Sequence, residues 1–571
     1  MRTRIWAAGS AICLGLLLTA SRSQATDYYV SPSGSDSNPG TMAQPFATVQ
    51  KAVDAPSAGD TVWFRAGTYK NSKQIKITKS GTSDTHRVNF FAYQGEVPVI
   101  DFSTYVSSNT GSDQPTILIT GSWLHFKGLE VANGAVQPSG SHSNDAIRAS
   151  NTHDNIFELL NIHHNFGPGL FIDGGTGGHQ ILNCDSHDNY DKNGSQGDGQ
   201  NGDGFGVHYQ MTGPSTVLRG NRAWINSDDG YDLISQEVPV IIENCWAVMN
   251  GYINGGTSRP PSGNGNGFKA GSSQTGIRHV LQQNVAWKNG AAGFYANHSS
   301  GGNTWLNNTS YMNSVQYNML ASPAGDSSST IILTGALAHR MRNNIGFPNK
   351  NTNMDGVDSQ FNTWDLNVTE ASGDFVSTMD TGYAGPRQAD GSLPNIGFMK
   401  LAAGSPLIDS GTDVQLPFTG AHPDLGAYEY GLATTTGAAG SGGGGATATG
   451  TAGAGAGGTV GSGGDASGGS TGNRGGAGGT GGSGNGGVVG TGTGGATGAG
   501  GVTGTGGANP GTGGGAPTGG SNGATGGTGD PGLKDGSSGC ACAVDAGPVR
   551  VAVWLPPLAL ALAPVFRRRR R

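Results

Sequence analysis

From Leu160 to Asn313 the chain alternates short apolar runs with asparagine and glycine, and the alternation repeats. The runs are LNIHHN (160–165), CDSHDN (184–189), NRAWIN (221–226), CWAVMN (245–250), NVAWKN (284–289) and NTSYMN (308–313). Their closing asparagines are separated by 24, 37, 24, 39 and 24 residues. A period of 24 is one supersecondary unit that must stack on its neighbours to bury its apolar face. The runs are short, β-branched or aromatic, and no paired amphipathic helices accompany them. They therefore predict an all-β parallel β-helix, with stacked asparagines bonding their side-chain amides along the axis. The two long steps carry polar insertions, DKNGSQGDGQN and YINGGTSRPPSGN, that leave the regular wall as loops. Helical spacing occurs in PFATVQKAVDAP, where Phe46, Val49, Ala52 and Val53 predict a small N-terminal capping helix.

After each corner asparagine comes Gly, then an aromatic or aliphatic residue, then any residue, then an apolar one. The instances are GLFI (169–172), GFGV (204–207), GYDL (230–233), GFKA (267–270) and GFYA (293–296). By the period of two, the second and fourth positions point inward and the third outward. The outward column reads Phe171, Gly206, Asp232, Lys269, Tyr295. Coils lie about 4.8 Å apart, so Asp232 and Lys269 are expected side by side on an exposed sheet. The position before the Gly gives a second column, Pro168, Asp203, Asp229, Asn266, Ala292, with Asp228 one residue earlier.

Asp203, Asp228, Asp229 and Asp232 thus gather on two adjacent coils, with Lys269 on the third. Aspartate favours turns, which accounts for any one of them. The same column filled on adjacent coils points instead to a hard cation, and four carboxylates suit Ca²⁺ better than Mg²⁺. Beside a cation, Lys269 is disfavoured as an ammonium and can act as a base; its plainer role is an ion pair with Asp232. A neutral amine and a cation suit β-elimination from a uronic acid polymer: Lys269 takes the C5 proton and the C4 glycosidic oxygen leaves.

NGDGF, NSDDGYD and GNGFKAG together resemble the family 9 polysaccharide lyases, calcium-dependent pectate lyases with a right-handed parallel β-helix. The resemblance spans about Asn161 to Asn313. It implies Asp203, Asp228, Asp229 and Asp232 as calcium ligands, Lys269 as the catalytic base and pectate as the substrate. His208, Arg222 and Arg259 are candidates for positioning the substrate, arginine because it pairs bidentately with carboxylates. Trp224, Trp246 and Trp287 fall at repeating coil positions and are expected to pack the wall. Cys184 and Cys245 share a repeat position two coils apart. That is about 9.6 Å, too far to bridge, so both are expected to be buried free thiols.

Composition sets the domain limits. Residues 1–25 read as a secretory signal, with arginines, an apolar run and Ser23-Gln24-Ala25 before the cut. Residues 26–430 form the β-helix domain. Much of the chain's 104 glycines falls in 431–539, a Gly/Ala/Thr/Ser segment with too little apolar surface to order, hence a flexible linker. Residues 540–571 combine SGCACA, a 16-residue apolar run with three prolines, and RRRRR. This layout resembles the C-terminal sorting signals of myxobacterial surface proteins, and so implies a partner in sorting and processing machinery. A plain tail anchor is the alternative. The formal charge of −7, more negative once the basic ends are set aside, argues against nucleic acid as a partner. The expected protein is an exported monomer acting on an acidic polysaccharide. Elimination on another uronate polymer, a hydrolase using paired aspartates, and an adhesin using the groove without turnover stand as alternatives.

Overall fold

The computed structural model describes residues 25–432, except 108–112, 135–143, 195, 273 and 367. The expected signal segment before residue 25, and the linker and C-terminal signal after residue 432, lie outside the described residues. The described chain is all-β, a right-handed parallel β-helix with almost no helix. Each coil lays one short strand in each of three parallel sheets, of twelve, ten and nine strands. One coil, for example, visits the first sheet at Gln180–Leu182, the second at Asp185–His187 and the third at Phe205–His208.

Inward positions stack like on like. Phe205, Tyr231, Phe268, Phe294 and Tyr317 form a continuous near-parallel column with ring centroids 5.3, 4.6, 5.0 and 5.0 Å apart. The coil rise sets that spacing, and the rings bury the second position of the Gly–aromatic motif as its period requires. The mouth of the core is closed by the helix Val49–Asp54, where Val49, Ala52 and Val53 are buried. Its N-cap, Thr48, accepts a hydrogen bond from the Lys51 amide through its side chain.

The corner between the second and third sheets is a side-chain ladder. Asn165, Asn189, Asn226, Asn250 and Asn289 each donate Nδ2–H to Oδ1 of the next, at 2.9–3.0 Å, ending on Asn313. The residue before each asparagine is left-handed, including His164, Asp188, Ile225 and Met249. The ladder satisfies buried backbone groups that the sharp turn removes from the sheets. Between the first and second sheets a second ladder includes Asn221, Asn284, Asn308, Asn344 and Asn362, and Cys184 and Cys245 occupy two of its places. Both thiols are free and fully buried, as expected. Each Sγ accepts a backbone N–H from the preceding coil, from Leu160 and Asn221 respectively.

The last strand ends at Gln360. The chain then returns along the outside of the second sheet, where Phe375, Phe398, Met399, Leu401, Leu407 and Leu425 pack with the three wall tryptophans. Trp246 Nε1 donates to the Tyr428 hydroxyl and Trp287 Nε1 to Asp380, so the tryptophans are packing residues.

A candidate metal and proton-transfer site on the third sheet

The outward column of the third sheet is in register as the sequence predicts. Phe171 pairs with Gly206, Gly206 with Asp232, Asp232 with Lys269 and Lys269 with Tyr295. The carboxylates are sunk into that face: Asp203, Asp228, Asp229 and Asp232 are at most 4 % exposed, and the two insertions pack on Asp228. Asp228 is the anchor: it accepts hydrogen bonds from the Asn201 amide and Gln200 Nε2 on one loop and from the Asn264 amide on the other. The loops also meet each other, Ser262 N–H donating to Asp198 O at 2.8 Å.

Asp203, Asp229 and Asp232 each offer a carboxylate oxygen within 4.8 Å of the others. Asp203 Oδ1 accepts the Asp229 N–H at 3.0 Å, and Asp229 Oδ1 accepts the Asn266 N–H at 2.7 Å. Asp232 Oδ1 and Asp229 Oδ2 are buried and receive no hydrogen bond. Lys269 Nζ stands 3.0 Å from Asp229 Oδ2 and 3.2 Å from Asp232 Oδ2. Buried anionic oxygens without donors are costly unless a cation serves them, and an all-oxygen set suits a hard divalent ion. The residues present therefore fit Ca²⁺.

The electrostatics describe a site short of positive charge. Burial, then Asp228, Asp232 and Asp229, push Asp203 well above the usual carboxylate range. Burial and the neighbouring carboxylates raise Asp229 to about 7 against the pull of Lys269. Burial also raises Asp232, but Lys269 and then His208 outweigh it and hold that carboxyl low. Burial would lower the Lys269 ammonium; the four carboxylates, Asp232 first, override it and raise it well above its ordinary value. With no added cation, Lys269 is thus a counter-ion rather than a base.

Of the three candidate substrate contacts, His208 lies at the carboxylates and Arg259 on the insertion beside them. His208 Nε2 is 3.5 Å from Asp232 Oδ2, its ring set edge-on against Phe171 at 4.7 Å. Arg259 is exposed on the second insertion, stacked on Tyr252 and bonded to the Asn264 carbonyl. Arg222 does not join them. It lies on the second sheet, 3 % exposed, chelating Asp185 and donating to the carbonyls of Tyr383 and Gly385. Six residues before Asp228, it is still on the other side of the corner, and it fastens the returning C-terminal segment. Sequence reasoning passed over Asn266, which completes the acid column; its place in that column was the available signal.

The family described as "Pel9A-like, right handed beta helix region" matches residues 28–344. Pectate lyase L of Dickeya dadantii (strain 3937) is 34 % identical over 425 residues, covering 72 % of this chain and 92 % of that one. Pectate lyase PEL9 of Emericella nidulans is 31 % identical, covering 66 % and 93 %. Among solved structures, pectate lyase Pel9A superposes with a TM-score of 0.59 at 32 % identity, covering 71 % of this chain and 97 % of that one. A rhamnogalacturonan lyase gives 0.58 at 29 %, covering 66 % and 97 %. With the coil register, the acid triad and these likenesses together, the chain belongs to the Pel9A-like right-handed β-helix family and is a polysaccharide lyase.

Proposed function

We propose that the protein is an exported pectate lyase that cleaves α-1,4-galacturonan by calcium-assisted β-elimination. The observation that carries this reading is the in-register pair Asp232–Lys269 at a buried carboxylate triad in which Asp229 Oδ2 and Asp232 Oδ1 accept no hydrogen bond. Asp203, Asp229 and Asp232, with Asp228 as a fourth charge, would hold the cation. Bound Ca²⁺ would supply the positive charge that balances the carboxylates and draws electrons from the C6 carboxylate of the sugar, acidifying its C5 proton. Lys269, released from its role as counter-ion, takes that proton at Nζ; the C5–H electrons form the C4–C5 double bond, and the C4–O bond breaks with its electrons on the glycosidic oxygen, which takes a proton from water, leaving a 4,5-unsaturated uronate. His208 and Arg259 orient the substrate's carboxylates from the floor and the loop rim. The leader and the Cys–apolar–Arg tail support export, with processing at the tail leaving the enzyme secreted or held at the outer cell surface.

The likeness to a rhamnogalacturonan lyase supports a second substrate reading on the same chemistry. A panel of polygalacturonate, rhamnogalacturonan and alginate, followed by the ultraviolet absorbance of unsaturated uronate ends, separates the two. The expected result is absorbance on polygalacturonate. Absorbance only on another polymer would move the substrate and keep the mechanism. Reducing ends without absorbance would mean hydrolysis, and binding without cleavage would mean an adhesin.

A further inference from the structure

Two carboxylates of the candidate site, Asp203 and Asp229, are rungs of a third side-chain ladder, and the rung that ends it is not an acid. Asp203 Oδ1 accepts the N–H of Asp229, Asp229 Oδ1 that of Asn266, and Asn266 Oδ1 that of Ala292, at 3.0, 2.7 and 3.1 Å. Each side chain thus spends one oxygen on the next coil. For the two aspartates this leaves a single oxygen, Oδ2, for any cation. Asn266 differs from the acids before it by carrying donors. Its Nδ2 gives Asp229 Oδ1 a second hydrogen bond, at 2.9 Å, while its own Oδ1 is fixed by Ala292. The amide cannot rotate without losing both. Asp229 Oδ1 therefore holds two N–H donors and Asp229 Oδ2 holds none, facing only the Lys269 ammonium at 3.0 Å.

We propose that Asn266 is a positioning residue that fixes Asp229 as a one-oxygen cation ligand and thereby sets the site's calcium affinity. The proposal rests on the cation reading above and adds a residue to it. The physical argument concerns rotation about the Asp229 side chain. A carboxylate held at one oxygen by two donors cannot swing its second oxygen away from the triad, nor turn both oxygens to Lys269. Removing the Nδ2 donor leaves the backbone N–H of residue 266 alone on Oδ1. About that single bond the carboxylate can turn, and the ligand must then be ordered at the expense of binding. Partners that orient a metal-binding carboxylate change affinity by about tenfold to a hundredfold when removed. Asn266 is 5 % exposed, so solvent does not replace the lost bonds freely.

The test is calorimetric titration of Ca²⁺ into the metal-free full chain, wild type beside Asn266→Ala and Asn266→Ser, with thermal unfolding of each in chelator. Asn266→Ala is expected to bind Ca²⁺ at least tenfold more weakly. Asn266→Ser, whose hydroxyl can serve only part of the same geometry, is expected to fall between, with a loss of at least threefold. A purely structural rung would lower the unfolding temperature in chelator and leave the dissociation constant untouched, which would overturn the proposal. If Asn266→Ala does not fold, Asn266→Ser decides, and a wild-type constant for it would likewise overturn the proposal. A wild type that takes up no Ca²⁺ would overturn the cation reading itself, and the inference with it.

Discussion

At the scale of single residues, the site is a balance of buried charge. Lys269 is the cation nearest the carboxylates, and it cannot be both their counter-ion and a base. In the proposed mechanism, occupancy by a divalent ion separates the two roles. Lys269→Ala should therefore be destabilising by about 3 kcal/mol in chelator at pH 8, where it strands buried carboxylates, and by much less in calcium. Urea unfolding in the two conditions checks this; an equal loss in both would mean that the lysine and the cation do not share a site. Arg222 gives the opposite prediction. Arg222→Ala should lower stability by about 3 kcal/mol, by leaving Asp185 with Arg387 alone as its partner, yet leave KM for the polymer unchanged. A raised KM would restore it to the groove. The aspartates and Lys269 were legible in the sequence because a period-two strand and a 24-residue coil fix which side chains meet. Arg222 was misread because nearness along the chain says nothing about which side of a corner a residue lies on.

At the scale of elements, the corners carry the specificity of the fold. The asparagine ladder was legible because one residue type recurs at one spacing. Asn250→Ala should cost about 2–4 kcal/mol, since it strips bonds to Asn226, Asn289 and the Ala223 carbonyl from a dry corner. Denaturant unfolding would show it, and a loss below about 1 kcal/mol would mean that water enters the corner. Another ladder was hidden because its rungs change identity. Asn155 and Asn303 share it with His179, His279 and His339, and each rung offers an acceptor to a backbone N–H of the coil before it. What repeats is the pairing of an acceptor with a neighbouring donor, which a residue pattern does not display. The seat of the two insertions was hidden for a related reason: they read as loops, but their attachment to Asp228 runs largely through backbone amides.

At the scale of the whole molecule, the histidine ladder makes stability depend on pH. Burial lowers His179 and His279 to about 4 and His339 to about 3. A histidine depressed in the folded state binds its proton more readily unfolded. Its stabilising contribution is therefore complete above pH 6.5 and lost as the pH falls toward 4. One such group is worth about 3 kcal/mol over that range. Asn is already a rung in this ladder, so His279→Asn should fold and lack that dependence. Its stability relative to wild type should improve by about 3 kcal/mol between pH 7 and pH 4, read by urea unfolding at the two values. A pH-independent difference would show that His279 takes up its proton as readily in the fold as in the unfolded chain.

The central claim is that a cation held by the acid triad and an amine at Lys269 together perform elimination on a uronate polymer. The direct measurement gives the full-length chain polygalacturonate and follows the absorbance of unsaturated uronate ends, with calcium, with excess chelator, and with Lys269→Ala in calcium. The account predicts absorbance in the first case and a loss of at least a thousandfold in the other two. Turnover that survives chelator, or survives the loss of Lys269, would contradict it.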